Sequence, residues 1–218
     1  MGNNLKNWGY EAVFYQIYPL GMFGAPFEND GVQEHRILKA IDWAEHIAKL
    51  GEFYAKCIKE NGIHADVFFG PAYKGIPLAV TAAISNYKEN GENVNYCFNR
   101  KEAKDHGEGG VMVGHKLQNG DKVLILEDVI TAGTAIRESL PILKAAADVE
   151  VCGVVISVDR MEKNKSDKSA VQEVFDEFGI KVYPIVTIND IIECIEDGTI
   201  PGSEYLSAMK EYRKVYGV

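Results

Sequence analysis

At 218 residues, with 46 % apolar and 25 % charged side chains, the chain can bury one sizeable core with a small appendage. A net charge of −9 argues against a general nucleic-acid binder, whose affinity rests on neutralising phosphates, but a local basic cluster can still hold a small anion. No apolar run approaches the ~20 residues that cross a bilayer. The 4 cysteines, Cys57, Cys97, Cys152 and Cys194, are scattered, without a Cys-x-x-Cys pair or the density of a secreted framework, so buried free thiols in a reducing cytoplasm are expected.

Taken in chain order, residues 12–25 are the nearest approach to a signal-peptide core, but Gln16, Pro19, Tyr15 and Tyr18 interrupt them. Residues 52–61 carry Phe53, Tyr54, Cys57 and Ile58 at helical spacing, and Gly62 stops the helix. A short buried strand follows at 67–69, then a helix over 76–89 and a strand over 95–98. A polar, glycine-bearing stretch follows over 99–110 with no strand assigned to it, and its cluster Gly107-Glu-Gly-Gly110 reads as a flexible loop. Strand 122–126 leads to a helix over 135–147, in which Pro141 is a local cost. Residues 151–158 lack polar alternation and read as a strand buried on both faces. The run 162–168 is low in apolar residues and reads as a solvated loop. A helix over 169–178, a strand over 181–188 and helices over 189–196 and 203–216 complete the chain. Strands alternating with helices predict an α/β fold with a mainly parallel central sheet covered by helices on both faces. In such sheets ligands sit at the carboxyl ends of the strands, where Gly70–Gly75, Glu127-Asp128 and Asp159-Arg160 fall.

The most informative stretch is Val123-Leu-Ile-Leu-Glu-Asp-Val-Ile-Thr-Ala-Gly-Thr-Ala135. A buried strand delivers two carboxylates, Glu127 and Asp128, and then a loop of small and hydroxyl residues running from Val129 and Ile130 through Thr131, Ala132, Gly133 and Thr134 to Ala135. Carboxylates can accept hydrogen bonds from vicinal ribose hydroxyls. Backbone N–H groups and the two threonine hydroxyls can wrap a phosphate where the next helix begins. Two plainer readings stand beside this one: an acidic pair that simply ends a strand in water, and Thr131 or Thr134 as the cap of the helix. No Gly-x-x-x-x-Gly-Lys-Ser/Thr and no strand-borne Gly-x-Gly-x-x-Gly competes for the phosphate.

These residues resemble the phosphoribosyl-diphosphate (PRPP) motif of type I phosphoribosyltransferases. Together with Phe69-Gly-Pro-Ala-Tyr-Lys-Gly-Ile-Pro-Leu78 and Phe98-Asn-Arg-Lys-Glu-Ala-Lys-Asp-His-Gly-Glu-Gly109, in this order and spacing, the chain resembles the orotate phosphoribosyltransferase family from about Leu50 to Val218. The resemblance implies the type I phosphoribosyltransferase fold. It also implies Mg²⁺-dependent transfer of ribose 5-phosphate from PRPP to orotate, giving orotidine 5′-phosphate and pyrophosphate in pyrimidine synthesis. Mg²⁺ would be held mainly by substrate oxygens, with no dedicated protein cage; His64, His106 and His115 show no zinc spacing. By resemblance, Glu127 and Asp128 contact the ribose hydroxyls, and the Tyr73-Lys74 loop touches pyrophosphate. Arg100, Lys101, Lys104 and His106, followed by Gly107, Gly109 and Gly110, combine the charge and mobility that a lid over pyrophosphate needs. A solvated charged loop is the alternative. In the family Lys101, Lys104 and His106 reach a neighbouring subunit, which implies a homodimer, and His106 is suited to protonating the leaving group. Lys101, Lys104, His106 and Asp128 are the expected catalytic residues. Thr131 and Arg160 resemble residues that contact orotate; Arg160 can grip a carboxylate with two N–H groups, or else pair with Asp159 or Glu162.

Residues 1–50 do not fit this family, which normally opens with a helix, a lysine for PRPP and aromatic residues against orotate. Residues 8–27, with Ala12-Val-Phe-Tyr-Gln-Ile-Tyr-Pro-Leu20, resemble the first barrel strand of the α-amylase family, and 35–51 its following helix. A chimeric N-terminal segment over 1–45, joined to a phosphoribosyltransferase domain over 46–218, is the expectation; a diverged N-terminus is its rival. The helix is expected to continue through Gly51 to Glu60, with Gly51 costing up to ~1 kcal/mol relative to Ala. A PRPP- or nucleotide-binding protein of the same fold without catalysis is the second reading of function. A carbohydrate-active enzyme is a distant third, because the later barrel strands that carry its carboxylates are absent.

Overall fold

The computed structural model describes residues 44–104, 110–130, 133–164 and 167–218, with the backbone alone at 102–104 and 110. In chain order they form α1 (Ala44–Glu60), β1 (Val67–Gly70), α2 (Gly75–Asn90), β2 (Asn95–Lys104), β3 (Gly110–Gly114) and β4 (Lys122–Val129). There follow α3 (Thr134–Ala146), β5 (Glu150–Asp159), α4 (Ala170–Phe178), β6 (Val182–Thr187), α5 (Ile188–Glu196) and α6 (Leu206–Tyr216). The strands make one 6-stranded sheet in the order β3-β2-β1-β4-β5-β6. Every neighbouring pair is parallel except β2 with β3.

Side-chain alternation in the central strands divides the core into two layers. Phe68, Leu124, Leu126 and Val155 face a cluster built from α1, α2 and α5, with Met209 of α6. Val67, Phe69, Val123, Ile125, Val154 and Ile156 face α3 and α4. Both faces of β1 and β4 are thus buried, which accounts for their unbroken apolar runs. Cys57, Cys97 and Cys194 are buried free thiols, and burial pushes each up to about 12. Cys152 is also free and half-buried. None of the described helices is long and apolar enough to cross a membrane.

Two sequence expectations need correction. Residues 99–104 are not loop but the outer half of β2, and β3 pairs back on it antiparallel, with a register irregularity between Asn99 and Lys104. This hairpin forms the sheet edge, where backbone hydrogen bonds can hold a strand whose side chains are polar, so hydrophobic periodicity does not report it. The second concerns Gly51. It lies mid-helix in α1, as expected, but a Cβ there would sit 2.5 Å from Thr81 Oγ1, 2.6 Å from the Thr81 carbonyl and 2.8 Å from Ser85 Oγ. The glycine lets α1 and α2 meet, and Thr81 Oγ1 uses that approach to donate to the Ile47 carbonyl at 2.9 Å. Packing here outweighs the propensity cost.

Candidate active site

The carboxyl ends of β1 and β4 open onto a cleft of about 460 Å³. On one side β1 ends at Gly70, and residues 71–74 turn into α2. The turn is tight: a Cβ on Gly70 would strike the Gly75 carbonyl, and one on Gly75 would lie 2.9 Å from the Leu126 carbonyl. The start of α2 is therefore pressed against β4 one residue before Glu127. Ala72 N–H donates to Asn99 Oδ1 at 2.9 Å, which ties the turn to β2, and the Ala72-Tyr73 peptide is cis. Tyr73 is 67 % exposed, with the Lys101 ammonium 5.6 Å from its ring centroid. Lys74 Nζ reaches across to Asp128 Oδ2 at 2.6 Å.

The two carboxylates at the end of β4 occupy different environments. Glu127 is only 6 % exposed, and burial first, then the adjacent Asp128 charge, pushes its pKa up to about 7. Asp128 is more open, pairs with Lys74 and accepts from the Val129 N–H at 2.8 Å. Below them Tyr54 of α1, fully buried, donates its hydroxyl to the Glu127 carbonyl at 2.6 Å and lies 2.6 Å from Ser157 Oγ on β5. One phenol thus ties α1 to the ends of β4 and β5.

The far wall is the start of α3. Gly133 takes the N-cap position with φ +67, in the left-handed region that favours glycine, and among the described residues no side chain caps the helix. The first-turn N–H groups have no intrahelical partners, and Gly133, Thr134, Ala135 and Ile136 line the cleft together with Val129 and Ile130. Thr134 is thus the first helical residue rather than the cap.

The cleft therefore gathers Tyr73, Lys74, Lys101, Glu127, Asp128, Val129, Ile130, Gly133, Thr134 and Ala135. Lys104 ends β2, while His106, Thr131 and Ala132 lie outside the described residues. Arg100 and Arg160 are not among the lining residues. Arg160 follows β5 and pairs through Nη2 with Glu162 Oε2 at 2.8 Å, and its buried Nε has no partner among the described residues. The Asp159 carboxylate instead accepts the Met161 N–H at 2.8 Å. Sequence reasoning passes over Glu138, Asn99 and Tyr54. Glu138 also lines the cleft and stands one helical turn beyond Thr134, so helical spacing was the available signal. For Asn99 and Tyr54 no local signal exists, because their partners lie 27 and 73 residues away. Among the described residues no cluster of three or more His, Cys, Asp or Glu side chains could hold a metal by itself.

Comparison with known proteins gives the family of the chain. The model of the phosphoribosyl transferase domain matches residues 39–185. An orotate phosphoribosyltransferase of Clostridium beijerinckii is 51 % identical over 177 residues, covering 78 % of this chain and 79 % of the relative. One from Thioalkalivibrio sulfidiphilus is 51 % identical over 173 residues, with 79 % of each covered. The crystal structure of orotate phosphoribosyltransferase from Francisella tularensis superposes with a TM-score of 0.71 at 34 % identity, over 82 % of this chain and 84 % of that one.

Proposed function

Because the chain belongs to the orotate phosphoribosyltransferase family, we propose that it transfers ribose 5-phosphate from PRPP to orotate, releasing pyrophosphate and forming orotidine 5′-phosphate. The observation that carries the reading is the convergence, in one cleft, of an acidic strand end, a lysine facing it and an uncapped helix start. In the reaction the bond from the anomeric carbon to pyrophosphate breaks and a bond to orotate N1 forms, with the N1 proton leaving. The transition state has oxocarbenium character, as in glycoside chemistry.

Each part of the cleft has a task in that reaction. Glu127 and Asp128 accept the ribose hydroxyls, and the backbone from Val129 to Ala135, including Thr131, Ala132 and Gly133, wraps the 5-phosphate at the start of α3. Tyr73, Lys74, Arg100 and Lys101 take the pyrophosphate. Lys74 is already paired with Asp128, so PRPP binding replaces one anionic partner by another. Lys104 and His106, from the lid of a second subunit, close over the leaving group and exclude water, which makes the working unit a homodimer. Thr131 and Arg160 hold orotate, the guanidinium by its carboxylate.

The oxygen-only donors at the strand end suit Mg²⁺, which binds through few protein ligands plus substrate phosphates. When bound, it neutralises pyrophosphate charge. We assign residues 46–218 to the transferase domain and 1–45 to an atypical N-terminal segment, within a cytoplasmic enzyme of pyrimidine synthesis.

Loss of orotate absorbance in the presence of PRPP and Mg²⁺ tests the assignment, for the protein and for Lys104→Ala. Saturable turnover, strongly reduced in the variant, is expected. Absence of turnover while PRPP still raises the melting temperature would turn the reading into one of a non-catalytic PRPP binder.

A further inference from the structure

We propose that the C-terminal residues 212–218 position Arg160 for the pyrimidine carboxylate, with Tyr212 and Glu162 as the positioning residues. The inference rests on the assignment of Arg160 to orotate made above.

Arg160 begins a turn that its own sequence does not favour. Met161 has φ +51, in the left-handed region that non-glycine residues rarely adopt. Within the turn only the Asp159 carboxylate, accepting the Met161 N–H, supports that conformation. The rest of the support comes from the chain terminus. The Val218 N–H and Arg213 Nη1 donate to the Met161 carbonyl at 3.0 and 2.9 Å. The Lys163 N–H donates to the Tyr216 carbonyl at 2.7 Å, and Glu162 bridges to Gly217. Arg213 is held in turn by Asn189 Oδ1 at 3.1 Å and by the Val218 oxygen at 3.2 Å. Gly217 has no room for a Cβ, which would strike the Arg213 guanidinium and carbonyl.

The second element is electrostatic. Glu162 divides its carboxylate: Oε1 accepts the Tyr212 hydroxyl at 2.7 Å, and Oε2 makes an ion pair with Arg160 Nη2 at 2.8 Å. A free carboxylate closes on a guanidinium with two parallel hydrogen bonds. By holding Oε1, Tyr212 fixes the carboxylate in an orientation in which Oε2 faces Arg160. Arg160 Nε is buried without a partner among the described residues, and the guanidinium retains donor capacity for an incoming carboxylate. Glu162 aims the arginine, and Tyr212 keeps Glu162 from saturating it.

Steady-state kinetics of Tyr212→Phe test this. The Phe ring keeps the stacking partner of Tyr216, whose centroid is 4.8 Å away. Freed from the hydroxyl, Glu162 competes for the second N–H, and KM for orotate rises about tenfold, the scale of one hydrogen bond to a charged group. KM for PRPP stays unchanged. Adding Glu162→Gln restores KM for orotate, because an amide cannot accept through both of its terminal atoms. Gly217→Ala, which displaces the clamp itself, likewise raises KM for orotate alone. An unchanged orotate KM in Tyr212→Phe, or a parallel rise in both KM values, overturns the proposal. Arg160→Ala separates the two levels: if it leaves orotate KM unaltered, the assignment of Arg160 to orotate is what has failed.

Discussion

Replacing Glu127 by Gln should make the protein more stable at alkaline pH and a poorer binder of PRPP. Glu127 is nearly buried at the end of β4, and burial, then the neighbouring Asp128 carboxylate, raises its pKa from 4.5 to about 7. The Asp128 N–H and the Lys74 charge pull the other way but do not prevail. An acid raised in this way keeps its proton in the native state over a range where the unfolded chain has lost it. Its stabilising contribution is therefore full below pH 4.5 and is lost as pH rises through about 7. At about 1.4 kcal/mol per pH unit in that window, roughly 3 kcal/mol is at stake at this single residue. Gln is nearly isosteric with the protonated acid, so urea unfolding of the two proteins should agree near pH 5 and diverge steadily. By pH 8 the variant should lead by about 2–3 kcal/mol. PRPP affinity should tighten from pH 6 to pH 8 in the parent and stay flat in the variant, because the ionised carboxylate is the better acceptor for ribose hydroxyls. A stability difference independent of pH, or a parent that gains on the variant as pH rises, would show that burial does not raise the Glu127 carboxyl. Either result would mean that Lys74 rather than burial governs the residue.

The helix crossing and the phenol beneath the site can be tested in the same way. Gly51→Ala should destabilise the fold by about 1–3 kcal/mol, the usual penalty for overpacking, since part of what the new methyl meets is the Thr81 backbone. Urea titration decides it, and a gain of about 1 kcal/mol would show that helix propensity governs the position instead. Tyr54→Phe removes the donor to the Glu127 carbonyl and the partner of Ser157. A loss of about 1–3 kcal/mol is expected from leaving those buried groups unsatisfied, and thermal unfolding within 1 °C of the parent would contradict it.

What could be foreseen from the chain divides along physical lines. Val123-Leu-Ile-Leu and Val154-Val-Ile are apolar without alternation, because both faces of a central parallel strand are covered. The carboxylates after the first of these runs are therefore legible as a strand-end pair. The edge hairpin of β2 and β3 is not, since its pairing depends on backbone groups. Gly51 looks like a defect when α1 is considered alone and becomes a requirement once α2 crosses it. Arg160 admits Asp159 or Glu162 as a partner on spacing alone. The choice falls to Glu162 because the Met161 N–H already engages Asp159. The division of the Glu162 carboxylate with Tyr212 spans 50 residues and has no local trace. Residues 1–43, which hold most of the α-amylase resemblance, lie outside the described structure, and only its last part, 44–51, falls in α1.

In the proposed function the segment from Glu127 to Ala135 cradles the ribose 5-phosphate end of PRPP. Amide chemical shifts of the ¹⁵N-labelled protein, followed during titration with PRPP and Mg²⁺, test it most directly. The largest changes should fall on the backbone from Asp128 to Ile136, with smaller ones at Tyr73 and Lys74 and none on the far faces of α5 and α6. Saturating shifts centred elsewhere, with residues 128–136 unmoved, would contradict the account.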